Sequence, residues 1–504
     1  MSTKYILSSR NRLLGKYNDG LDAIEAQLKA LITADAKRGI TSTLIYLDDP
    51  IQAAQFGFTA QVDITDIGCK QAIDAIYKKN APDYLVIFGS DEIIPFYKLN
   101  NMLNPRDKDI DKTVPSDYPY ACDDGPNRDL SNYVSPTRVI GRIPDLPGIS
   151  KPDYVKNLID TIIQFKAAPQ SQYLDYFALS ADIWKGSTFA SADDIFNNHD
   201  RVYVSPTAVA GTDINLSRWY SHFYNCHGAL DYPGFVGEDA QKSHPVCLLA
   251  ETLNGKINAG TIAVAECCYG AQLLNPAVYK ISVASNYLLN QAIAFMGSTC
   301  ISFGKADRQD QADLLCAYFF KNILKGYSTG RALLSARQEF KSQTQQTGDP
   351  VSYKTLAQFI LLGDPSIQPV QDQSGPQLFS TITSRRMELM STGFNLGLTT
   401  ARPVKTEENT RIRASRQVRA ILRRLKMHKT ESEMVFEVED SLAETLFMAR
   451  ALSPGTTPGP PKPKTRFRVY QTEDNGYERF RQIRLLVVKE TDGQVLGYNL
   501  YDSR

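Results

Sequence analysis

Two short stretches hold the residue types that nucleophilic chemistry needs. In Thr261-Ile-Ala-Val-Ala-Glu266-Cys267-Cys268-Tyr269-Gly270 an apolar, β-branched run stops at a carboxylate, two thiols and a glycine. Upstream, Ser221-His-Phe-Tyr-Asn-Cys226-His227-Gly228 has the same design. Each reads as a buried strand with a polar tip. Neighbouring parallel strands place their carboxyl ends along one edge, where open α/β sheets bind ligands. A thiol beside an imidazole is a nucleophile beside its base, and Gly228 leaves room for a substrate carbonyl. That is the chemistry of a cysteine peptidase.

Cys268 is the candidate nucleophile, because Gly270 suits a tight turn whose N–H groups face an oxyanion; Gly228 and Cys268 are the candidate oxyanion positions. Taken alone, a cysteine reads as a small buried hydrophobe. The His-Gly pair at a matching strand end sets Cys268 apart. The period of two along a strand turns Cys267 to the other side, and Cys226 is assigned to the core as well. His227 would take or hold the thiol proton. His199, His222, His244 and His428 lack a partner pattern and read as surface or structural. Asp182, ending the strand Tyr176-Phe-Ala-Leu-Ser-Ala181, is the candidate to orient the imidazole; the competing role is a local cap.

The elements that must position these residues alternate. Leu21, Ile24, Leu28 and Leu31 fall at helical spacing within 18–38. A strand at 43–48, a helix at 67–79 and the strand Tyr84–Phe88 follow as a βαβ-like unit. Residues 100–137 read as an irregular excursion, 138–144 as a short strand, and 151–167 as a helix. In the second half, a polar loop over Gly186–Asp194 precedes a helix. The strands to His227 and to Cys268 come next, then a strand over 294–303, helices at 310–325 and 328–345, and Phe359–Leu362. This alternation predicts the α/β class, a largely parallel sheet with helices on both faces. After residue 372 the character changes. Residues 401–430 are crowded with Arg and Lys, 453–464 read as a Pro/Gly-rich linker, and Asp492-Gly493 predicts a hairpin turn. The expected domains are 1–165, 166–372 and a basic accessory module over 373–504.

A chain of 504 residues is too long for one ordinary core. Its net charge of +1 gives no general preference for nucleic acid or acidic membranes. No apolar run reaches the roughly 18 residues of a membrane helix. The first residues lack a signal-peptide pattern, and the eight cysteines have neither framework nor zinc spacing. The expectation is a cytoplasmic protein with reduced thiols, no membrane partner and no zinc site.

Cys268 and His227 resemble the dyad of the caspase–legumain–gingipain clan, in which a strand-end His-Gly precedes a strand-end Cys. The likeness is nearest to the gingipain-type peptidases. Tyr84-Leu-Val-Ile-Phe-Gly89-Ser-Asp-Glu-Ile-Ile-Pro95, Val139-Ile-Gly-Arg142-Ile-Pro and Leu361-Leu-Gly-Asp364-Pro-Ser366 are similar to further motifs of that family, in its order, over about residues 80–370. Glu266-Cys-Cys268-Tyr-Gly270 also resembles the legumain pattern, with the glycine one residue closer. The resemblance implies a caspase-like fold of two subdomains and a protein or peptide substrate. It implies no required cofactor and allows a bound Ca²⁺. Arg-directed members hold the substrate with an acid in the loop after the first catalytic strand, and Asp194, then Asp193, fall in the matching place; the competing role is a helix cap. Asp231, Glu238, Asp239 and Glu266 are other candidate pocket acids. The chain departs from gingipains in showing neither their signal and pro-region nor their immunoglobulin-like module, which implies an intracellular setting such as signalling or host defence.

The leading expectation is a peptidase that cuts after Arg or Lys. A second keeps the dyad with Asn, Asp or an apolar residue at that position. A third is a non-catalytic binding scaffold, which would have no need of both Cys268 and His227. A nucleic-acid role for 401–430 is disfavoured, because Ile412, Val418, Ile421, Leu422 and Leu425 interleave the basic residues as on an amphipathic helix. If that segment instead stays extended, its Arg and Lys would serve as a pseudo-substrate or a self-cleavage site, whereas a folded helix would pack as an accessory or partner-binding module.

Overall fold

The structure is a computed structural model. It describes residues 1–103, 111–133, 135–206, 209–210, 214–239, 241–344, 348–371, 401–409, 414–427, 430, 432–440, 464–474 and 482–504. Its strands are β1 (Ser2–Ser8), β2 (Ile40–Tyr46), β3 (Tyr84–Phe88), β4 (Tyr97–Asn100), β5 (Thr113–Ser116), β6 (Ile140–Ile143), β7 (Tyr176–Ala181), β8 (Val202–Ser205), β9 (Ser221–Asn225) and β10 (Gly234–Val236). There follow β11 (Val246–Leu249), β12 (Ile262–Ala265), β13 (Ala294–Ser298), β14 (Phe303–Gly304), β15 (Phe359–Gly363), β16 (Ala401–Asn409), β17 (Ser432–Asp440), β18 (Thr465–Asp474), β19 (Gln482–Thr491) and β20 (Gln494–Ser503).

Ten strands form one sheet in the order β2-β1-β3-β6-β15-β13-β12-β9-β7-β8. Every neighbouring pair is parallel except β13 and β15, where Met296 faces Leu361. That single reversal has a consequence for function: β13, β12, β9, β7 and β8 all point their carboxyl ends to one edge, and the other five point to the opposite edge. The central strands β3, β6, β7, β9, β12, β13 and β15 are buried along their whole length. Continuous Val/Ile/Leu/Phe runs such as Tyr84–Phe88 are what a sheet covered on both faces demands.

The helices follow their apolar spacing. Leu21–Lys37 buries Leu21, Ile24, Leu28 and Leu31, and Asp153–Gln164 buries Tyr154, Leu158 and Ile162. Two expectations need correction. Residues 186–194 are not a loop but most of the helix Lys185–Phe196. Its buried face is built from Ser187, Thr188, Ser191 and Ala192, with the Ser187 and Thr188 hydroxyls donating to the Trp184 carbonyl, so a helix face read as polar composition. The expected strand 294–303 breaks after Ser298, where the Ser298 hydroxyl donates to the Cys300 carbonyl at 2.7 Å, and resumes as β14.

Beyond the large sheet lies an antiparallel one, ordered β14-β20-β19-β18-β17-β16. The Asp492-Gly493 turn joins β19 to β20 with φ of 51° and 81°, the left-handed pair that a tight hairpin requires. The basic stretch divides into strand β16 and the helix Arg416–Arg424, whose Val418 and Leu422 pack with Tyr470, Leu486 and Val488. Arg402 is paired with Asp129. Arg411, Arg413, His428, Lys429 and nearly all of the Pro/Gly-rich 453–464 lie outside the described residues. One strand of this second sheet, β14, comes from the chain between β13 and β15 of the large sheet, with Phe303 opposite Ser503 and Gly304 opposite Asp502.

Candidate active site

Strand β12 ends at Ala265, and the chain turns sharply through Glu266–Gly270, with Gly270 N–H donating to the Cys267 carbonyl at 3.1 Å. The left-handed residue of this turn is Tyr269, at φ 53°, rather than Gly270. Tyr269 is held there by its phenol, which donates to Asp111 at 2.7 Å. Gly270 answers a packing need instead: a β-carbon there would press on Ala265 at 2.9 Å. Cys267 and Cys226 are fully buried together, Cys226 N–H lying 3.4 Å from Cys267 Sγ. Cys268 faces the edge. Its Sγ accepts the Ser302 N–H at 3.2 Å, and burial pushes the thiol pKa up to about 12, opposed by that N–H.

Next to it, β9 ends and His227 is clamped by backbone bonds to Val236 in both directions, at 2.9 and 3.0 Å. Gly228 lies directly on the Cys268 carbonyl, where a β-carbon would collide, so the two strand tips touch. No hydrogen bond joins Cys268 Sγ to His227 among the described residues, a separation common before substrate completes a site. The hairpin strand β10 that clamps His227 continues into Glu238, whose carboxylate meets His227 Nε2 at 2.7 Å and is buried. Burial pushes the Glu238 carboxyl up, but the bond to His227 and the imidazole's charge outweigh it and hold the pKa below the ordinary value. Trp184 lies over the ring, centroids 4.2 Å apart.

Asp182 is not brought to His227. It sits at the mouth of the helix Lys185–Phe196 and pairs with Lys185 at 2.8 Å, the carboxylate 36% exposed. Asp193 pairs with the exposed His199, and Asp194 with Lys321 at 2.7 Å. Both are on the last turns of that helix, which explains why a loop-based placement misassigns them. Asp231 bonds through its backbone N–H to Gln272, and Asp239 closes its own turn on Ser243.

Glu266 is where the edge becomes a pocket, and what fills it is Arg504. The Arg504 guanidinium is buried and paired with Glu266 and, through both terminal nitrogens, with Asp313 at 2.6 and 2.8 Å. Asn225 Oδ1 accepts at 2.7 Å and the Lys305 carbonyl at 3.2 Å, and Trp184 faces the group 5.4 Å away. Gly304 is required here, since any side chain would strike the guanidinium. Burial and then the charge of Asp313 raise the Glu266 pKa well above the ordinary value, against the pull of Arg504. Burial alone would lower the Arg504 pKa, but Asp313 and Glu266 raise it. At the other end of the same residue, the Arg504 carbonyl accepts the Cys268 N–H at 2.9 Å, and its own N–H donates to the Ser302 carbonyl at 3.1 Å. The Arg504 carbonyl is thus held on the backbone N–H of the residue that bears the candidate thiol.

Sequence reasoning missed Asp313, Asn225 and Arg504. Asp313 is the third residue of a helix opened by Asp310, with which it forms a capping box, so the pattern already had a local explanation. Arg504 reaches the pocket through a strand pairing across two hundred positions, which leaves no local trace. Among the described residues, His227, Glu238 and His244 present ligand atoms within 4.8 Å of one another. That nitrogen-rich set suits a borderline metal such as zinc rather than Ca²⁺, which takes oxygen.

The family model of peptidase family C25 matches residues 16–370. No curated protein matches the chain. Among solved structures, one described as a protease aligns over 99% of this chain and 96% of its own, at 12% identity and a TM-score of 0.45. The separase of Saccharomyces cerevisiae in its complex with securin aligns over 58% of this chain and 17% of its own, at 13% identity and a TM-score of 0.31. Among the described residues no helix is long and apolar enough to cross a membrane.

Proposed function

The chain belongs to peptidase family C25, the gingipain family of cysteine peptidases, and from that premise we propose that it is an endopeptidase cutting protein substrates after arginine, with Cys268 as nucleophile and His227 as its proton carrier. The observation that carries this reading is Arg504: its guanidinium faces Glu266 and Asp313 while its carbonyl takes the Cys268 N–H. A substrate arginine in the same position presents its carbonyl carbon to Cys268 Sγ. The sulfur forms the new C–S bond, and the oxygen that becomes negative stays on the Cys268 N–H, joined by that of Gly228. His227 receives the thiol proton and passes it to the departing amine, and water then releases the acyl group. Glu238 holds the imidazole in orientation.

The fork of a guanidinium suits this pocket, because Asp313 is engaged by both terminal nitrogens and Glu266 by one of them; an ammonium is a single point. An intracellular setting is part of the proposal, supported by eight cysteines that are all buried and form no disulfide. The test is a set of peptidyl amides differing only in the residue before the cleaved bond: Arg, Lys, Asn, Asp or Ala. Arg should exceed Ala by at least about a hundredfold in kcat/KM, as expected when a buried charged partner is left unmatched. Cys268→Ala should be inactive, and Cys267→Ala active. Equal rates for Arg and Ala would overturn the arginine assignment.

A further inference from the structure

Resting on that reading of Cys268 and arginine, we propose that the cleft reads a second side chain, a tyrosine three residues before the arginine. Its substrates are then extended segments of the form Tyr-Xaa-Xaa-Arg, and Tyr501–Arg504 is one such segment held in cis.

Strand β20 lies in the cleft as an added strand on β14, Ser503 opposite Phe303 and Asp502 opposite Gly304, and Arg504 N–H completes the ladder on Ser302. In recognition by strand addition the main-chain bonds hold any sequence, and side-chain pockets choose among them. Of the last four residues, two engage their own hairpin. Ser503 Oγ accepts the Ile483 N–H at 2.8 Å, and Asp502 pairs with Arg484 at 2.6 Å. The other two, Arg504 and Tyr501, reach into the protease.

The place that receives Tyr501 is a built site. The phenol is 1% exposed, donates to Asp349 Oδ2 at 2.7 Å and accepts from Gln311 Nε2 at 3.2 Å. Both partners are fixed independently of it. Asp349 caps the helix Pro350–Gln358 through Oδ1, which takes the Val351 N–H at 3.0 Å, leaving Oδ2 for the ligand. Gln311 is held by Ser352 and Thr355 at 3.2 and 3.3 Å. Lys305 lies over the ring at 5.4 Å and is anchored to Asp310. Asp349 and Gln311 are themselves 4% and 2% exposed, so a phenylalanine here leaves a buried carboxylate oxygen without its donor. Sites built to bond a hydroxyl reject the analogue that lacks it far more strongly than apolar pockets reject a missing methylene.

The experiment uses the full chain carrying Tyr501→Ala and Arg504→Gly, which removes both side chains that hold the tail in the cleft. The amides Tyr-Asp-Ser-Arg, Phe-Asp-Ser-Arg, Ala-Asp-Ser-Arg and Tyr-Asp-Ser-Ala are compared by kcat/KM. The tyrosine peptide should exceed the phenylalanine peptide by about ten- to a hundredfold, the value of a hydrogen bond to a charged group. Asp349→Asn, which keeps the helix cap, should shrink that ratio. Equal rates for Tyr, Phe and Ala with arginine still required would overturn the tyrosine site and leave the arginine reading standing. Equal rates for Tyr-Asp-Ser-Arg and Tyr-Asp-Ser-Ala would instead remove the arginine reading. If no amide is cut, calorimetric binding of the corresponding acids to the same chain decides, and equal affinity of the Tyr and Phe peptides overturns the proposal.

Discussion

Arg142 and Arg504 are both buried guanidiniums facing carboxylates, near the two opposite edges of the large sheet, and they are held in different ways. Arg142, on β6, has one partner acid, Asp117, which takes Nε and Nη2 side by side at 2.9 and 2.6 Å. Its remaining nitrogen bonds the carbonyls of Gly89 and Ile94, and Phe96 covers the plane at 4.2 Å. Charge is matched one to one. Arg504 faces two acids, and both its Nε and Glu266 Oε1 are buried without a hydrogen-bond partner. One pair is closed and balanced, as a structural element should be. The other has one carboxyl more than its single charge can match, and unmatched atoms, as a pocket that must accept and release a cation would.

Removing each arginine should therefore give opposite outcomes, and this is the largest effect expected. Arg142→Met leaves Asp117 buried and uncompensated and should lower unfolding free energy by about 3–5 kcal/mol, measured by urea denaturation. Arg504→Gly should cost well under half as much, because the tail can leave and water can reach the two acids, and it should raise turnover of added peptides. Similar losses of stability in the two variants would make Arg504 a structural residue and end the contrast.

A second effect separates the two acids of the pocket. Burial and then the charge of Asp313 make Glu266 keep a proton to a higher pH than an ordinary carboxyl even with Arg504 in place, and removing Arg504 takes away the pull that opposes them. An arginine binds best once that proton has gone. With the tail variant, kcat/KM for arginine amides should rise with pH through a limb above the usual carboxylate pKa of about 4.3. Glu266→Gln should erase that limb and cost about tenfold to a hundredfold at neutral pH. An unchanged profile would show that Glu266 does not titrate on the path to binding.

Much of this architecture was legible because it is local. Runs such as Tyr84–Phe88 and Thr261–Ala265 can only be buried strands, and the residues that follow them must lie at an edge. Hence the chain itself places Cys268 and His227 at neighbouring strand tips. The acids were not legible in the same way. Asp182 also follows a strand, but its short carboxylate turns back to Lys185, whereas Glu238 reaches His227 because β10 folds over it. Asp194 was read as a loop residue because Ser, Thr and Ala can build either a loop or the inward face of a helix. Which strand adds to β14 is a choice made across the whole chain, and only the turn Asp492-Gly493 announced that β20 exists.

Glu238 offers a smaller effect with a defined shape. Its bond to His227 fixes the ring, and Glu238→Gln keeps a hydrogen-bond acceptor without the charge. Loss of about ten- to a hundredfold in kcat with little change in KM is expected, as for other residues that orient a functional imidazole. The depressed Glu238 pKa also has a sign for stability: the pair's contribution is present above the unfolded carboxyl pKa of about 4.3 and lost as pH falls through the lower folded value. Glu238→Gln should remove that acid-side dependence.

Asp182 should show the smallest effect, and it tests the contrast between the two acids near the imidazole. Its carboxylate pairs with Lys185 three residues on, and both are more than a third exposed. Exposed pairs of this kind are worth about 0–1 kcal/mol. Asp182→Asn should thus fold normally and leave kcat/KM within about twofold, since its carboxylate is paired with Lys185 and not with His227. The comparison is made on one protein preparation, with Asp182→Asn and Glu238→Gln assayed against the same arginine amide. A loss in Asp182→Asn equal to that in Glu238→Gln would mean that the carboxylate swings onto His227 during turnover. Glu238 would then share the orienting role, and the strand-end position of Asp182 would be functional after all.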